Sequence, residues 1–600
     1  MSTIFTGQKY RQPRRSERLL DVTIRDFSGG WNVVDNDLNM KTKFAKILKN
    51  LQLGEDGSVE VRQGTKRFAD LEGLTTGIVA STYYNNHIVV VGEDGVVVMI
   101  DDSGNPHALF NDEFAKNLPG APDGWDATPF ASFAEFNGEL IICNGINKPL
   151  IVNTSMNCTY LNDPATGSNA YTPIAKYVVA HDRYLVMGGN IDNPDRLYIS
   201  STDTSGVFVG DAGPNDAVNV DLGSRVPKGS SNIKGLGRFR DKIMIAFENA
   251  ILIGSLGTFD SGDHVPTFND VIEEHGALSH RVMATIGEDM IFCDNVGVSS
   301  TNKALYTGAV RSERLSQLID PEIHKNLARF TNTSDLENRT FAIYNSLLQS
   351  YMLFIPDEGH SLQQTETRCF VYRRIKALKI NAWFEYTNWN WTSSCVSALK
   401  RVFFTKGTDV FILGNEQDPI YKDRMGVEEM FDDSTSFTDS TGWNPVADVA
   451  TSGVPIPFVW ELPWSDNQQR FNTKASRYIN LDTDGNERFD VKMFVDNLYV
   501  SRSDLGETFI DESVFDDELG WDVDVLDPTL SMTFVGGDGP GYGSDEYGQY
   551  MGGGRPTRHE GLYAWTTKYK LFKLRLEGEA KGPLKFISIT MAYQPGSIRR

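Results

Sequence analysis

Cysteine is scarce and unpatterned in this chain. Cys143, Cys158, Cys293, Cys369 and Cys395 are odd in number, scattered over 600 residues and never spaced as CxxC. That argues against a disulfide framework or a thiolate zinc site. It predicts free cysteines behaving as small hydrophobes, two of them inside buried strands, in a protein that folds in a reducing cytosol. Long apolar runs are also missing. None approaches 18 residues and Met1 to Tyr10 has no apolar centre, so neither a signal peptide nor a helical membrane span is expected. The nine histidines form no HxH, HxxxH or HExxH pair, and His275 and His280 stand five apart, a poor spacing for metal ligands. No nucleophile elbow, Walker loop or dinucleotide fingerprint occurs in its required strand and helix setting. The expectation is a protein that is no enzyme and holds no cofactor or metal.

Positive charge is in short supply. Against 57 Lys and Arg stand 80 Asp and Glu, a formal net charge of −23. The imbalance is local: Ser503 to Gly554 carries 13 acidic residues and no Lys or Arg. Such a surface repels a phosphate backbone, which argues against tight nucleic-acid binding yet suits a wall past which DNA slides. Within it, Asp522-Val-Asp-Val-Leu-Asp starts like a calcium loop but lacks the turn glycine and the closing glutamate, so a solvated acidic loop is the simpler reading. The run Val535-Gly-Gly-Asp-Gly-Pro-Gly-Tyr-Gly has carboxylate neighbours and no helix after it, and reads as a loop tip. Arginines do gather at the start, where Arg11, Arg14, Arg15 and Arg18 lie in a segment without core pattern. They suggest a solvated arm or a docking arm.

Turns and short apolar strands are abundant: 54 Gly, 24 Pro and 11% aromatics. One hairpin pattern recurs, a polar corner followed by an apolar strand, at Tyr84-Asn-Asn-His-Ile-Val-Val-Val, Phe136-Asn-Gly-Glu-Leu-Ile-Ile-Cys, His181-Asp-Arg-Tyr-Leu-Val-Met, Phe239-Arg-Asp-Lys-Ile-Met-Ile-Ala and Ile286-Gly-Glu-Asp-Met-Ile-Phe-Cys. The starts lie 52, 45, 58 and 47 residues apart, close to the roughly 40 to 50 of a four-stranded propeller blade. Looser relatives begin at Tyr344 and Thr408. The fold class expected is mainly β with few helices: a propeller-like repeat domain over 75–430 and a second β domain of sandwich type over 431–600, into which the acidic segment 503–554 is inserted. Residues 1–74 form an N-terminal arm and platform segment. Phe44, Ile47, Leu48 and Leu51 have helical spacing, as do Leu315, Leu318, Ile319, Ile323 and Leu327 with Pro321 at a restart.

Two local features have competing readings. Ser201-Thr-Asp-Thr-Ser-Gly-Val-Phe is similar to the Asp-box turn of sialidase propellers, with one extra residue before its glycine, and is structural on either reading. The rings of Ala382-Trp-Phe-Glu-Tyr-Thr and Asn388-Trp-Asn-Trp-Thr pack between sheets on the simpler view. On the other, Trp383, Trp389 and Trp391 are stacking platforms of a host-glycan adhesin. A polysaccharide-degrading tail protein is a third reading, with no carboxylate pair to carry it.

Several segments together resemble the tail nozzle proteins of short-tailed bacteriophages, the tail tubular protein B family. They are Phe27-Ser-Gly-Gly-Trp-Asn, Asn50-Leu, Asp56-Gly-Ser-Val-Glu-Val-Arg-Gln-Gly, Glu274-His-Gly-Ala-Leu-Ser, Ile286-Gly-Glu-Asp-Met-Ile-Phe, Asn295-Val-Gly-Val-Ser-Ser, Leu315-Ser-Gln-Leu-Ile-Asp-Pro-Glu-Ile and the closing Tyr593-Gln-Pro-Gly-Ser-Ile-Arg-Arg. The resemblance implies a structural virion protein, assembled in the host cytoplasm and located in the viral tail. Six copies would form a ring below an adaptor, extend and gate the DNA ejection channel, and hold tail fibres or spikes outside, with DNA passing without specific binding. On that reading Asp511, Glu512, Asp516, Asp517, Glu518, Asp522 and Asp524 are candidate channel-lining residues, and Arg11, Arg14, Arg15 and Arg18 a candidate arm toward a neighbour.

Overall fold

The apolar strand of each recurring hairpin has no polar alternation because a propeller blade is covered on both faces by its neighbours. Glu139–Cys143, Tyr184–Gly188, Lys242–Phe247 and Asp289–Cys293 are buried along nearly their whole length. Each such side chain contributes roughly 1.5–3 kcal/mol on leaving water. The polar corners supply the turn. Asn85 and Asn86 (φ 46° and 63°), then Asn137 and Gly138 (φ 53° and 77°), adopt the left-handed conformation at both central positions that tight hairpin turns require.

The computed structural model describes residues 20–54, 56–110, 125–161, 172–208, 217–227, 232–239, 241–256, 266–273, 275–286, 289–301, 313–330, 333–355, 368–375, 380–389, 391–415, 417–424, 453–466, 474–485, 488–495, 529–535, 558–563, 568–569 and 571–595. Among them, six four-stranded antiparallel sheets and the first four strands of a ten-stranded sheet follow one another as seven blades. Their innermost strands are Ile78–Tyr84, Ser132–Phe136, Tyr177–His181, Ile233–Phe239, Ala284–Ile286, Phe341–Asn345 and Ser393–Val396. Each lies beside the next, and the seventh returns to the first, so the ring is closed. All five recurring hairpins join the first and second strands of blades 1 to 5, and the Tyr344 unit does so in blade 6. The Thr408 unit differs. It joins the second and third strands of blade 7, whose first corner is Ser397–Arg401.

Blade 7 is completed from far away in sequence. Its fourth strand is Thr65–Asp70, paired antiparallel with Asp409–Leu413. These residues fall within the segment assigned to the N-terminal platform, so the boundary lies just before Thr65 and not at residue 74. The N-terminal strand locks the ring, because it pairs with the edge of Asp409–Leu413 that would otherwise be open.

The second domain is a β-sandwich. One sheet contains Leu20–Ile24, Leu51–Leu53, Val59–Val61, Lys474–Gly485, Arg558–Tyr563, Lys568–Tyr569 and Leu584–Pro595. The facing sheet is continuous with blade 6. From Ile380–Tyr386 the order runs through Ile47–Lys49, Val454–Glu461, Phe572–Ala580 and Arg488–Val495 to Thr529–Val535. The two sheets meet at Phe586, whose ring centroid lies 5.2–5.9 Å from those of Phe489, Trp460 and Phe458. Within the acidic region, expected as a long hairpin or loop, Thr529–Val535 is a strand paired with Arg488–Val495.

The helix expected around Phe44 to Leu51 is replaced by three short strands, Phe44–Ala45, Ile47–Lys49 and Leu51–Leu53. Lys49 pairs with Glu385 on one side and Val459 on the other, and Asn50 turns left-handed at φ 55°. Two sheet edges claim the backbone of this segment, and tertiary pairing overrides helical spacing. The later helix is shorter than its periodicity: Asp320–Leu327, with Pro321 in its first turn, followed by a second helix, Thr333–Arg339. No helix among the described residues is long and apolar enough to cross a membrane. All five cysteines are buried and free.

The chain crosses between the domains next to Arg62 and again next to Asp423, and these two side chains hold the crossings together. Their ion pair is bidentate, at 2.8 and 2.6 Å, with Arg62 only 1% exposed. Asn50 Oδ1 accepts from Arg62 Nε at 2.9 Å, Asp423 accepts from Trp389 Nε1, and the guanidinium lies 4.3 Å from the Trp389 ring. Gly30 lies close by at φ 67°, where a Cβ would stand 2.8–3.0 Å from Ala382 and the Trp383 backbone. Replacing Arg62 by Met strands a buried carboxylate and is expected to cost about 3–5 kcal/mol. Urea denaturation of Arg62→Met and of Arg62→Met/Asp423→Leu checks this. The double variant should recover most of the loss, and a double variant as unstable as the single one would contradict the pairing role.

Candidate functional site

Two concave regions among the described residues bear on function. The first is the axial cavity of the propeller, about 240 Å³, lined by innermost-strand residues including Ala80, Ser81, Ser132 and Phe341 and by His280 and Arg281 from the link between blades 4 and 5. The helix Thr333–Arg339, between blades 5 and 6, reaches across the ring to blades 3 and 4 through Glu337. That carboxylate receives Lys176 at 2.6 Å, Lys234 at 2.8 Å and the Tyr177 hydroxyl. Arg281 fastens the same end by donating to the carbonyls of Asn338 and Thr392, both at 2.9 Å.

Burial opposes ionisation of Glu337, but the two lysines and Tyr177 outweigh it and hold its pKa below the ordinary carboxylate value. Burial also draws the Lys176 pKa down against the pull of Glu337. We take the pair as ionised, because Glu337 has two cations and a hydroxyl on it. His280 accepts a hydrogen bond from the Leu236 N–H at Nδ1, 3.2 Å, beside the Tyr177 ring. Burial depresses its pKa to about 4, so it is neutral at pH 7. Part of its surface meets the axial cavity, although protein surrounds the ring. His275 belongs elsewhere, bonded to Asp294 at 2.9 Å. Among the described residues no three metal-ligating side chains converge.

The second region is a cavity of about 590 Å³ in the seam between blades 6 and 7 and the sandwich. Asp56, Glu60 and Lys585 line it from the sandwich, Arg373 from blade 6, and Lys400 and Arg401 from the first corner of blade 7. Lys585 and Asp56 form a pair at 2.7 Å. Partial burial disfavours the Asp56 carboxylate, but Lys585 and Ser58 more than offset that and lower its pKa to about 2.

The residues expected to matter from sequence have mixed outcomes. Arg11, Arg14, Arg15 and Arg18 lie outside the described residues, as do Asp511, Glu512, Asp516, Asp517, Glu518, Asp522 and Asp524. Trp383, Trp389 and Trp391 are at most 4% exposed and stack on Tyr372, Tyr386, Phe404 and Phe411. They belong to the core and offer no face to a sugar, which corrects the platform reading. The Asp-box-like segment is a turn between the third and fourth strands of blade 3, closed by Ser201 N–H to Val207 and by an Arg183–Asp203 pair. Arg62, Glu337 and Arg373 were missed. The one available signal was an ionisable residue inside an apolar strand, as in Cys369-Phe-Val-Tyr-Arg-Arg-Ile.

No family model and no curated protein matches the chain. Solved structures similar to it include a streptogramin B lyase (12% identity, TM-score 0.34, 59% of this chain and 98% of that one). Others are the WD40 propeller domain of Doa1 (13%, 0.33, 59% and 98%) and the WD40 domain of Neurospora crassa Pan2 (9%, 0.36, 62% and 99%). The propeller assignment rests on the blade topology itself.

The buried histidine sets a pH dependence. Unfolded imidazole titrates near 6.5 and folded His280 near 4. The unfolded chain therefore takes up the proton first, and the stability contribution, full above 6.5, is lost as pH falls toward about 4. His181, fully buried and also depressed, acts in the same sense. Glu337 adds a later loss, full above 4.5 and disappearing as pH falls through its lower folded value. Thermal unfolding should fall between pH 7 and 4.5, and His280→Gln should flatten that fall by about 1–3 kcal/mol. Parallel profiles for the two proteins would refute it.

Proposed function

We propose that this chain is a structural subunit of a short-tailed phage tail nozzle, one of six in a ring that extends and gates the DNA ejection channel and carries fibres outside. The observation that supports this most is where the segments of resemblance lie. Phe27 packs edge-on against Trp460 at 4.8 Å, Trp31 donates to the Lys46 carbonyl, and Asn50 and Arg62 are members of the buried crossing network. Gly64 passes so close to Lys422 that a Cβ would meet its carbonyl. Leu315 receives the Trp383 indole N–H, and Ile319 and Ile323 are buried beneath the blade 5 to blade 6 link. Several of the resembling residues thus lie where propeller meets sandwich, while others, Met290, Phe292 and Val298 among them, belong to blade 5. A rigid body of this kind suits a ring subunit, which must keep lateral and axial contacts in fixed relation. The acidic 503–554 segment supplies charge that repels DNA, as a conduit wall requires.

Electron microscopy of the purified protein or of virions is expected to show a sixfold ring with an axial opening. A particle-bound monomer would refute the proposal. Neutralising Asp511, Glu512, Asp516, Asp517 and Glu518 together is expected to slow DNA ejection from otherwise intact particles. Unchanged ejection kinetics would remove these residues from the bore.

A further inference from the structure

We propose that the seam cavity between blades 6 and 7 and the sandwich is a binding site for a carboxylate-bearing ligand, with the buried Arg373 guanidinium as its anchor. The strand Arg368–Ile375 carries three arginines, and their environments differ. Arg368 reaches Glu385 at 2.9 Å and Glu322 at 3.2 Å, and Arg374 reaches Asp289 at 2.9 Å. Arg373 is only 5% exposed, yet among the described residues no carboxylate stands within ion-pair distance of it. Its Nη1 donates to the Leu53 carbonyl, and its Nε has no hydrogen-bond partner. A cation taken out of water with an unused donor is costly unless an anion meets it. Arg373 lines the cavity wall.

The rest of the lining fits the same ligand. Lys585 and Asp56 satisfy each other, and Glu60 accepts from the Gln52 amide at 2.9 Å. That leaves Arg373, Lys400 and Arg401 against Glu60, an excess of positive charge on the cavity wall. An arginine fork pairs with carboxylate or phosphate. The carboxylates of Glu60 and Asp56 in the same cavity repel a dianion more strongly than a monoanionic carboxylate, which favours the latter. At the rim, Leu347 (47% exposed) and Leu399 (78% exposed) offer apolar contact for a ligand's carbon skeleton. A volume of about 590 Å³ falls in the usual range for small-ligand sites, roughly 300–1,000 Å³. This inference does not depend on the nozzle reading.

Isothermal titration and thermal unfolding of the full chain with 4-methylpentanoate, a branched monocarboxylate, at constant ionic strength and with inorganic phosphate as comparison, test it. One saturable site is expected, about tenfold tighter for 4-methylpentanoate than for phosphate, with a rise in melting temperature. Arg401→Ala should weaken binding several-fold while leaving the unliganded protein unchanged, and Arg373→Lys should weaken it about tenfold or more, because the fork is lost and the charge kept. If acetyl-Leu-Glu-amide binds more tightly than 4-methylpentanoate, the carboxylate comes from a docking peptide. The reverse order makes it a free acid, and both support the site. No heat and no shift, phosphate binding as tightly as 4-methylpentanoate, or affinity unmoved in both variants would overturn it. Arg401, being exposed, keeps the test decisive even if Arg373→Lys fails to fold.

Discussion

The buried pair of Arg62 and Asp423 is the contact on which the two-domain arrangement depends. Each residue sits where the chain passes between sandwich and propeller, so one ion pair ties together segments 361 residues apart. Asn50 and Trp389 hold the charged groups in place through their own polar atoms, and the Trp389 ring lies beside the guanidinium. Such a pair contributes little over an apolar pair of equal volume, but losing either partner is severe. The pair lies between Val59–Val61 of the sandwich and Thr65–Asp70, the strand that closes blade 7.

Around that point the molecule uses two forms of closure. The propeller ring is shut by Thr65–Asp70, a strand from the other end of the chain, so every blade has a neighbour on both faces. Blade 6 does more, because its outermost strand continues into the sandwich through Ile47–Lys49. The largest core cluster accordingly runs from blades 4 to 7 into the sandwich, while separate smaller clusters lie between the earlier blades. The helix carrying Glu337 stiffens one end of the ring by joining strands of blades 3 and 4 to the link before blade 6.

Polar groups inside the fold fall into satisfied and unsatisfied kinds, and the difference locates chemistry. The carboxylates of Glu337 and Asp423 meet cations directly. Among the described residues no carboxylate pairs with Arg373, which lines a seam where three parts of the fold leave space. Composition does not separate these cases, since a strand reading Cys-Phe-Val-Tyr-Arg-Arg-Ile gives no indication of which arginine finds a carboxylate. Only the residues brought alongside by folding do.

The blades were legible because each doubly buried strand demands a continuous apolar run and each tight corner demands Asn, Asp or Gly, and both demands are local. The mainly β class, the five hairpins and the helix begun near Pro321 follow from such local rules. Tertiary structure alone decided the blade number, the closing strand, the conversion of Phe44 to Leu53 from helical spacing to strands, and the burial of Trp383, Trp389 and Trp391. Each of these depends on which distant backbone edge or side chain comes to lie within hydrogen-bonding or van der Waals reach. Periodicity along a chain carries no information about a partner hundreds of residues away.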